Sequence, residues 1–348
     1  MKSESFKIYL LVPGLTDYNA LILCIKRDKM ILIIADKFDA HADAVQHHLS
    51  IRNSKFFRLN LDIASLMLSY VYIDENQWTI SQNNEEIHLS DISCVWGRRL
   101  TVSLDLEKQS VAEEPDFRLW RSEWNRCLYG VYAYLRERFW LNPIGNASLM
   151  DNKFFQMKAA RAAGFQIPEF ISSNKKAELL SFARDHKYVA LKFMSQEIYK
   201  MPDGSYSGLY VNKISAKELE SFSDVNENPV TLQRYIEKNF EVRHTFIDGS
   251  HFSCKIDSQK SNRANVDWRR YDIPFTPHEQ IIAPRCITNC IEKLMKENNL
   301  RYGAFDFIVD SDNNWWYLEV NTAGQWLWIE DLAGMPISAR IAEALSAR

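Results

Sequence analysis

No run of eighteen or more apolar residues occurs in the 348-residue chain, so a membrane-spanning helix is not expected. None of the six cysteines (Cys24, Cys94, Cys127, Cys254, Cys286, Cys290) forms a Cys-x-x-Cys pair. Cys286 and Cys290 could share a helical face, but no histidine lies near them. Zinc is therefore not expected, and all six read as reduced thiols of a cytoplasmic protein. There is no excess of positive charge either. Lys plus Arg number 42 against 45 Asp plus Glu, a net charge of −3, and nothing points to nucleic acid. A Gly-x-x-x-x-Gly-Lys-Ser/Thr stretch is missing, as are His-Arg-Asp and Asp-Phe-Gly, which removes P-loop proteins and protein kinases. Internal repeats and low-complexity segments are also missing. What remains is ordinary globular composition, 46% apolar and 25% charged, with ten Trp and fifteen Tyr for cores or a peptide-binding groove.

Residues 1–29 read as a peripheral extension. A signal peptide is the rival reading, but Pro13, Gly14, Asp17 and Asn19 interrupt the apolar stretch. Met30 is the alternative natural start. From there strand Ile31–Ala35, helix His41–Ile51 and strand Phe56–Leu59 make a βαβ opening. His41, His47 and His48 on that helix read as surface histidines. Short antiparallel strands follow at Val71–Ile73, Trp78–Ser81 and Ile87–Leu89. Ile92–Trp96 ends beside Arg98 and Arg99, which either face a cleft or close a domain interface. A long helix, Pro115–Phe139, has the stripe Leu119, Trp120, Trp124, Leu128, Val131, Leu135. Leu141-Asn-Pro-Ile144 is a break, and Asp151–Ala163 a helix closed by Gly164. Met194–Ser207 is a mobile loop by composition, and Ser258–Tyr271 a basic one.

The most informative stretch is Arg301–Asn321. Apolar runs Ala304–Val309 and Trp315–Val320 flank Asp310-Ser-Asp-Asn-Asn314, which spells a β-hairpin. With the turn centred between Asp312 and Asn313, Asp306 faces Glu319. Asn321 projects from the same side, while Phe305, Phe307, Leu318 and Val320 point into a core. Two adjacent carboxylates repel unless a cation sits between them. Carboxylate plus amide oxygen suits Mg²⁺, whose shell phosphates can complete. One such acid alone would read as a solvated strand end. Lys153 and Lys192 are candidate phosphate clamps. Lys192 lies inside the apolar strand Val189–Met194, where a lysine is costly without a counter-ion.

Lys153, Lys192 in Ala-Leu-Lys-Phe, Gln233-Arg-Tyr-Ile236, Arg243, Asp306 and Glu319-Val-Asn321 together resemble the ATP-grasp superfamily. Within it, four segments resemble the microviridin-type, or graspetide, maturases that crosslink ribosomal peptides. They are Val95-Trp-Gly-Arg-Arg99, Gln233-Arg-Tyr-Ile-Glu-Lys238, Asp267-Trp-Arg269 and Glu319-Val-Asn-Thr-Ala-Gly-Gln-Trp326. The resemblance spans residues 30–348. It departs at Gly97, where an aromatic is expected, and at Thr322-Ala323, which replace a more usual Pro-Asn.

The resemblance implies an α/β (α+β) chain with the ATP-grasp fold. A Rossmann-like pre-ATP-grasp domain (30–145) would precede a central lobe (146–232) and a C-terminal lobe with the metal site (233–348), two α+β lobes clasping ATP. It implies an ADP-forming ligase using ATP and Mg²⁺. Lys153 and Lys192 would bind phosphates. Gln233 to Ile236 would line the adenine slot, with Tyr235 and Ile236 offering backbone hydrogen bonds. Asp306, Glu319 and Asn321 would hold the metal. Arg243 is assigned to phosphate or acyl-phosphate oxygens, and Arg269 to an acidic side chain of the peptide. The expected partner is a ribosomal precursor peptide with a leader and an acidic core, without nucleic acid or membrane; a homodimer is one option for the assembly. Two other readings stand beside this one: a carboxylate–amine ligase for small molecules, and an inactive peptide-binding module.

Overall fold

The computed structural model describes residues 30–102, 114–194, 198–200, 206–208, 211–222, 227–260 and 276–348. The 1–29 extension, Arg269 with most of its basic loop, and much of the 194–207 loop lie outside the described residues. The described residues divide into two compact units: those from Met30 to Trp140 with Leu345–Arg348, and those within Leu141–Ala344.

The first unit grows from β1 (Met30–Ala35), whose residues from Ile31 onward are all buried. Such a run suits a strand covered on both faces. Asp39 caps helix α1 (Ala40–Ile51) by accepting the Ala42 N–H, and β2 (Lys55–Asn60) returns parallel to β1. A short helix α2 (Ile63–Leu66) leads to the antiparallel strands β3 (Tyr70–Ile73), β4 (Trp78–Gln82) and β5 (Glu85–His88). Then come β6 (Ile92–Gly97), helix α3 (Pro115–Tyr134) and β7 (Phe139–Trp140). The parallel order is β2-β1-β6-β7. Helix α3 stops short of Phe139 because the chain must turn to lay β7 beside β6. The Trp140 indole donates to the Leu135 carbonyl and seals that helix end. Only the C-terminal part of the expected stripe is core: Leu128, Val131 and Leu135 are buried, whereas Leu119 is exposed.

In the second unit the expected helix at 151–163 is two. Asn152 ends α4 (Ile144–Asp151) and caps α5 (Lys153–Ala163), its carboxamide oxygen accepting the Phe154 and Phe155 N–H groups. Next follow β8 (Phe170–Ser173), α6 (Lys176–Asp185) and β9 (Val189–Lys192). Two short paired strands, β10 (Ile198–Lys200) and β11 (Tyr206–Gly208), stand within the stretch expected as loop. After them come β12 (Asn212–Ile214), α7 (Ala216–Glu220) and β13 (Val230–Arg234). The central sheet runs β12-β9-β13-β8. The remaining chain is β14 (Phe240–Ile247), β15 (Ser250–Ile256), β16 (His278–Ile281), α8 (Arg285–Glu297), β17 (Tyr302–Val309), β18 (Trp315–Asn321), α9 (Leu327–Ala333) and α10 (Ile337–Ser346). Its antiparallel order is β16-β15-β14-β17-β18. One face of this sheet packs on α5 and α8 through Phe165, Phe305, Phe307, Tyr317, Ile291 and Leu294.

The second unit begins at Leu141, and the Asn142 side chain is bonded within it to residues 301, 302 and 322. A cut between Leu232 and Gln233 would split β13, where Gln233 pairs with both Ala190 and Phe170.

Candidate active site

The β17–β18 hairpin turns on Asp310. Its carboxylate accepts the N–H groups of Asp312 and Asn314, the Asn314 amide and the Trp316 indole, while Asn313 takes a positive φ of 61°. Near the turn the register is Val309 opposite Trp315 and Phe307 opposite Tyr317, which centres the turn on Asp312. Continued unchanged, that register would set Asp306 against Leu318. A bulge at Leu318 adds one residue, so Asp306 faces Glu319 as expected and Ala304 faces Asn321. The same bulge corrects the core side: Tyr317 is fully buried there, and Leu318 only half-buried.

Across β14, β17 and β18 a row of charges now stands in register: Arg243, Asp306, Glu319. Arg243 Nη1 donates to both Asp306 oxygens at 2.8 and 3.0 Å. Lys153 Nζ, from the first turn of α5, lies 2.8 Å from Glu319 Oε2. The Asn321 amide reaches Glu319 Oε1 at 3.4 Å. Each carboxylate thus has its own cation, and the two oppositely charged pairs lie side by side. Burial alone would disfavour the Arg243 charge, but the adjoining Asp306 carboxylate overrides this and raises its pKa. Arg243 Nη2 donates to the Gln325 carbonyl at 3.2 Å. Within the chain, Arg243 is thus a buried clamp on Asp306.

Two opposed carboxylates and a carboxamide are hard oxygen donors, and they fit Mg²⁺ better than a thiophilic ion. Among the described residues no group of three His, Cys, Asp or Glu could hold a metal. Any metal here would therefore draw on the Asn321 amide and on the substrate.

Supporting residues that the sequence reading missed surround this row. Gln156, fully buried on α5, donates to the Val320 carbonyl at 2.6 Å and accepts the Val320 N–H at 3.0 Å. Its oxygen also accepts the Tyr317 hydroxyl. Burial, then the Glu319 and Asp306 charges, pushes the Tyr317 pKa well up, which keeps that hydroxyl a donor. Asn142 accepts the Arg301 and Tyr302 N–H groups and donates to the Tyr302 and Thr322 carbonyls. Thr322 donates to Asp151. At Gly324 an added Cβ would meet Ala304 Cβ at 2.5 Å and Arg243 Nη2 at 2.9 Å, so only glycine lets the chain pass over the clamp. Trp326 then anchors the segment, buried and bonded to Ser338 Oγ. Gly324 and Trp326 were visible as motif letters. Gln156 offered one weak signal, a polar residue one helical turn after Lys153.

On the central sheet Lys192 faces Thr231 and Gln233 faces Ala190, so Lys192 and Gln233 project from one face. The other face is filled by Val189, Leu232 and Leu179. The Tyr235 N–H donates to the Tyr188 carbonyl. Lys213 Nζ sits 4.1 Å from the Tyr235 ring centre and 4.4 Å from that of Tyr188. Arg234 stacks over Trp316 of β18, tying the two sheets together. In the first unit Arg98 and Arg99 pair with Asp39 and Asp36.

Residues 30–148 match the family model of the MvdD pre-ATP grasp domain. No curated protein matches the sequence. A Chryseobacterium gregarium RiPP-associated ATP-grasp ligase, solved with ADP and a leader and core peptide, is 26% identical over 91% of this chain and 96% of its own, with a TM-score of 0.80. Macrocyclase MdnC of Microcystis aeruginosa, bound to precursor peptide MdnA, is similar in fold at 24% identity over 92% and 100%, TM-score 0.79. ATP-grasp ligase PsnB, with a phosphomimetic precursor variant, Mg and ADP, follows at 19% over 92% and 98%, TM-score 0.71. This chain has the ATP-grasp fold. The charge row of β14, β17 and β18 has the chemistry to suit a polyphosphate with a metal.

Proposed function

We propose that this ATP-grasp ligase activates Asp or Glu side-chain carboxylates of a ribosomal precursor peptide and joins them to Ser or Thr hydroxyls or Lys amines. The observation that carries this reading is Asp306 directly opposite Glu319 with Lys153 on Glu319, within a fold shared with precursor-bound ligases. A peptide carboxylate oxygen attacks the γ-phosphorus of ATP and ADP leaves, forming an acyl phosphate. The acceptor oxygen or nitrogen then attacks the acyl carbon, loses its proton and expels phosphate, leaving an ester or amide. Lys153 and Lys192 hold phosphate oxygens; Gln233, the Tyr235 carbonyl and the Ile236 amide meet the base. Asp306, Glu319 and Asn321 would hold Mg²⁺, which when bound neutralises charge on the β- and γ-phosphates. Arg243 neutralises and aims Asp306. Arg269, outside the described residues, is proposed to grip the acidic core of the peptide through both guanidinium donors. A homodimer and a cytoplasmic site of action complete the reading, the latter supported by the free thiols of Cys94, Cys127, Cys254, Cys286 and Cys290.

The test is Mg²⁺-dependent ADP release with a short acidic peptide containing Ser, Thr or Lys, read beside the peptide mass. One water lost per bond is expected, and Glu319→Gln and Lys192→Ala should each slow turnover by roughly 10² or more. ADP release indifferent to Glu319→Gln removes the metal assignment. Release driven by a small acid plus amine, with the peptide mass unchanged, favours the small-molecule ligase. No ATP turnover at all favours the inactive peptide-binding module.

A further inference from the structure

Strand β18 is the last strand of its sheet, so its outer N–H and C=O groups have no neighbouring strand. It nevertheless carries Glu319 and Asn321, whose side chains must be held to within a fraction of an ångström to share one metal. The outer edge is completed from outside the sheet. Gln166 O accepts the Tyr317 N–H at 2.9 Å, and the Gln156 carboxamide takes both polar groups of Val320. Val320 lies between the two ligands. Its N–H belongs to the peptide plane shared with Glu319, and its C=O to the plane shared with Asn321. One side chain therefore fixes both peptide planes from which the ligands spring. The amide orientation is dictated by its partners: a carbonyl can only accept and an N–H can only donate.

We propose that Gln156 is a positioning residue for metal binding, acting through Val320 on Glu319 and Asn321. The proposal rests on the reading of those side chains as Mg²⁺ ligands. Helix α5 makes the arrangement economical: Lys153 and Gln156 are three residues apart and share a face, so one helix register sets the cation on Glu319 and the splint beside it. The helix start is defined by the Asn152 cap, and its end by Gly164 at φ 105°.

The experiment measures ADP binding by calorimetry in wild type and Gln156→Met, across a Mg²⁺ titration and in chelator, with thermal unfolding alongside. Methionine keeps the volume and removes all three hydrogen bonds. The half-saturating Mg²⁺ concentration is expected to rise about 10-fold or more, with ADP affinity in chelator unchanged. A merely structural role would lower the unfolding temperature and leave the Mg²⁺ half-saturation within about twofold; that result overturns the proposal. Should Gln156→Met fail to fold, Gln156→Glu decides. Its carboxylate still accepts from Val320 and Tyr317 but opposes the Val320 carbonyl; protonated, it restores the missing donor. The ratio of its half-saturating Mg²⁺ to that of wild type should shrink from about pH 8 to about pH 6, and a ratio near one at both overturns the role. Wild-type protein whose ADP binding ignores Mg²⁺ overturns the metal reading itself. A Mg²⁺-responsive wild type with an unshifted variant overturns the Gln156 role alone.

Discussion

Arg98–Asp39 in the first unit and Arg243–Asp306 in the second are both buried arginine–aspartate pairs, and they are built for different ends. Arg98 meets Asp39 through Nε at 3.3 Å, with side-chain exposures of 8% and 9%. The other Asp39 oxygen caps α1, so that carboxylate is consumed by the fold. Arg243 places one nitrogen on both Asp306 oxygens, and Asp306 faces a second carboxylate with its own lysine. A capped, singly paired aspartate closes a structure. An aspartate held by a guanidinium opposite a second, lysine-paired carboxylate gathers hard oxygen donors in one place, an arrangement whose counter-ions could be exchanged for a metal.

The comparison is broken most directly at the arginines. Arg243→Met leaves Asp306 buried against Glu319 without its counter-ion and should cost about 3–5 kcal/mol in denaturant unfolding. Arg98→Met, whose aspartate still caps a helix, should cost about 1 kcal/mol. Equal losses would make the two pairs equivalent. The same substitution in the two aspartates sharpens the contrast. Asp306→Asn should lower Mg²⁺-dependent ADP release by roughly 10², whereas Asp39→Asn keeps a good cap residue and should leave turnover alone.

A pH effect concerns one buried and one half-buried histidine. Burial, then the neighbouring His251, lowers the His244 pKa from 6.5 to about 3. Burial, then the Arg98 charge, lowers that of His41 to about 4. Below pH 6.5 the unfolded chain binds protons that the folded chain refuses, so stability is full above that pH and declines beneath it. For His244 the loss between pH 7 and pH 5 is about 2 kcal/mol, and His244→Gln should flatten that part of the stability–pH curve. His41, only partly buried, should contribute a shallower slope of the same sign. A pH-independent unfolding midpoint over that range would contradict both.

Where local rules decide, the chain could be read directly. The βαβ opening, the three-stranded meander and the β14–β15 and β17–β18 hairpins follow from apolar periodicity and turn residues. Reading stopped where a long-range contact overruled a local pattern. Helix α3 yields its last turn to β7, and Asn152 divides one apparent helix in two. The Tyr235 N–H is taken by Tyr188, which lies far from it in the chain.

By itself the sequence determined which groups are proposed to carry the chemistry: two carboxylates and a carboxamide on one hairpin, and lysines at residues 153 and 192. Side-chain alternation in a strand is a local property, so the shared face of Glu319 and Asn321 could be inferred before any fold was known, whereas Asp306 meets Glu319 through the bulge. Tertiary structure decided how they are held. The Leu318 bulge, the Arg243 clamp, the passage at Gly324 and the Gln156 splint all answer requirements that arise only on packing. A buried charge needs a partner, and the outer edge of a terminal strand needs donors and acceptors from whatever element lies beside it.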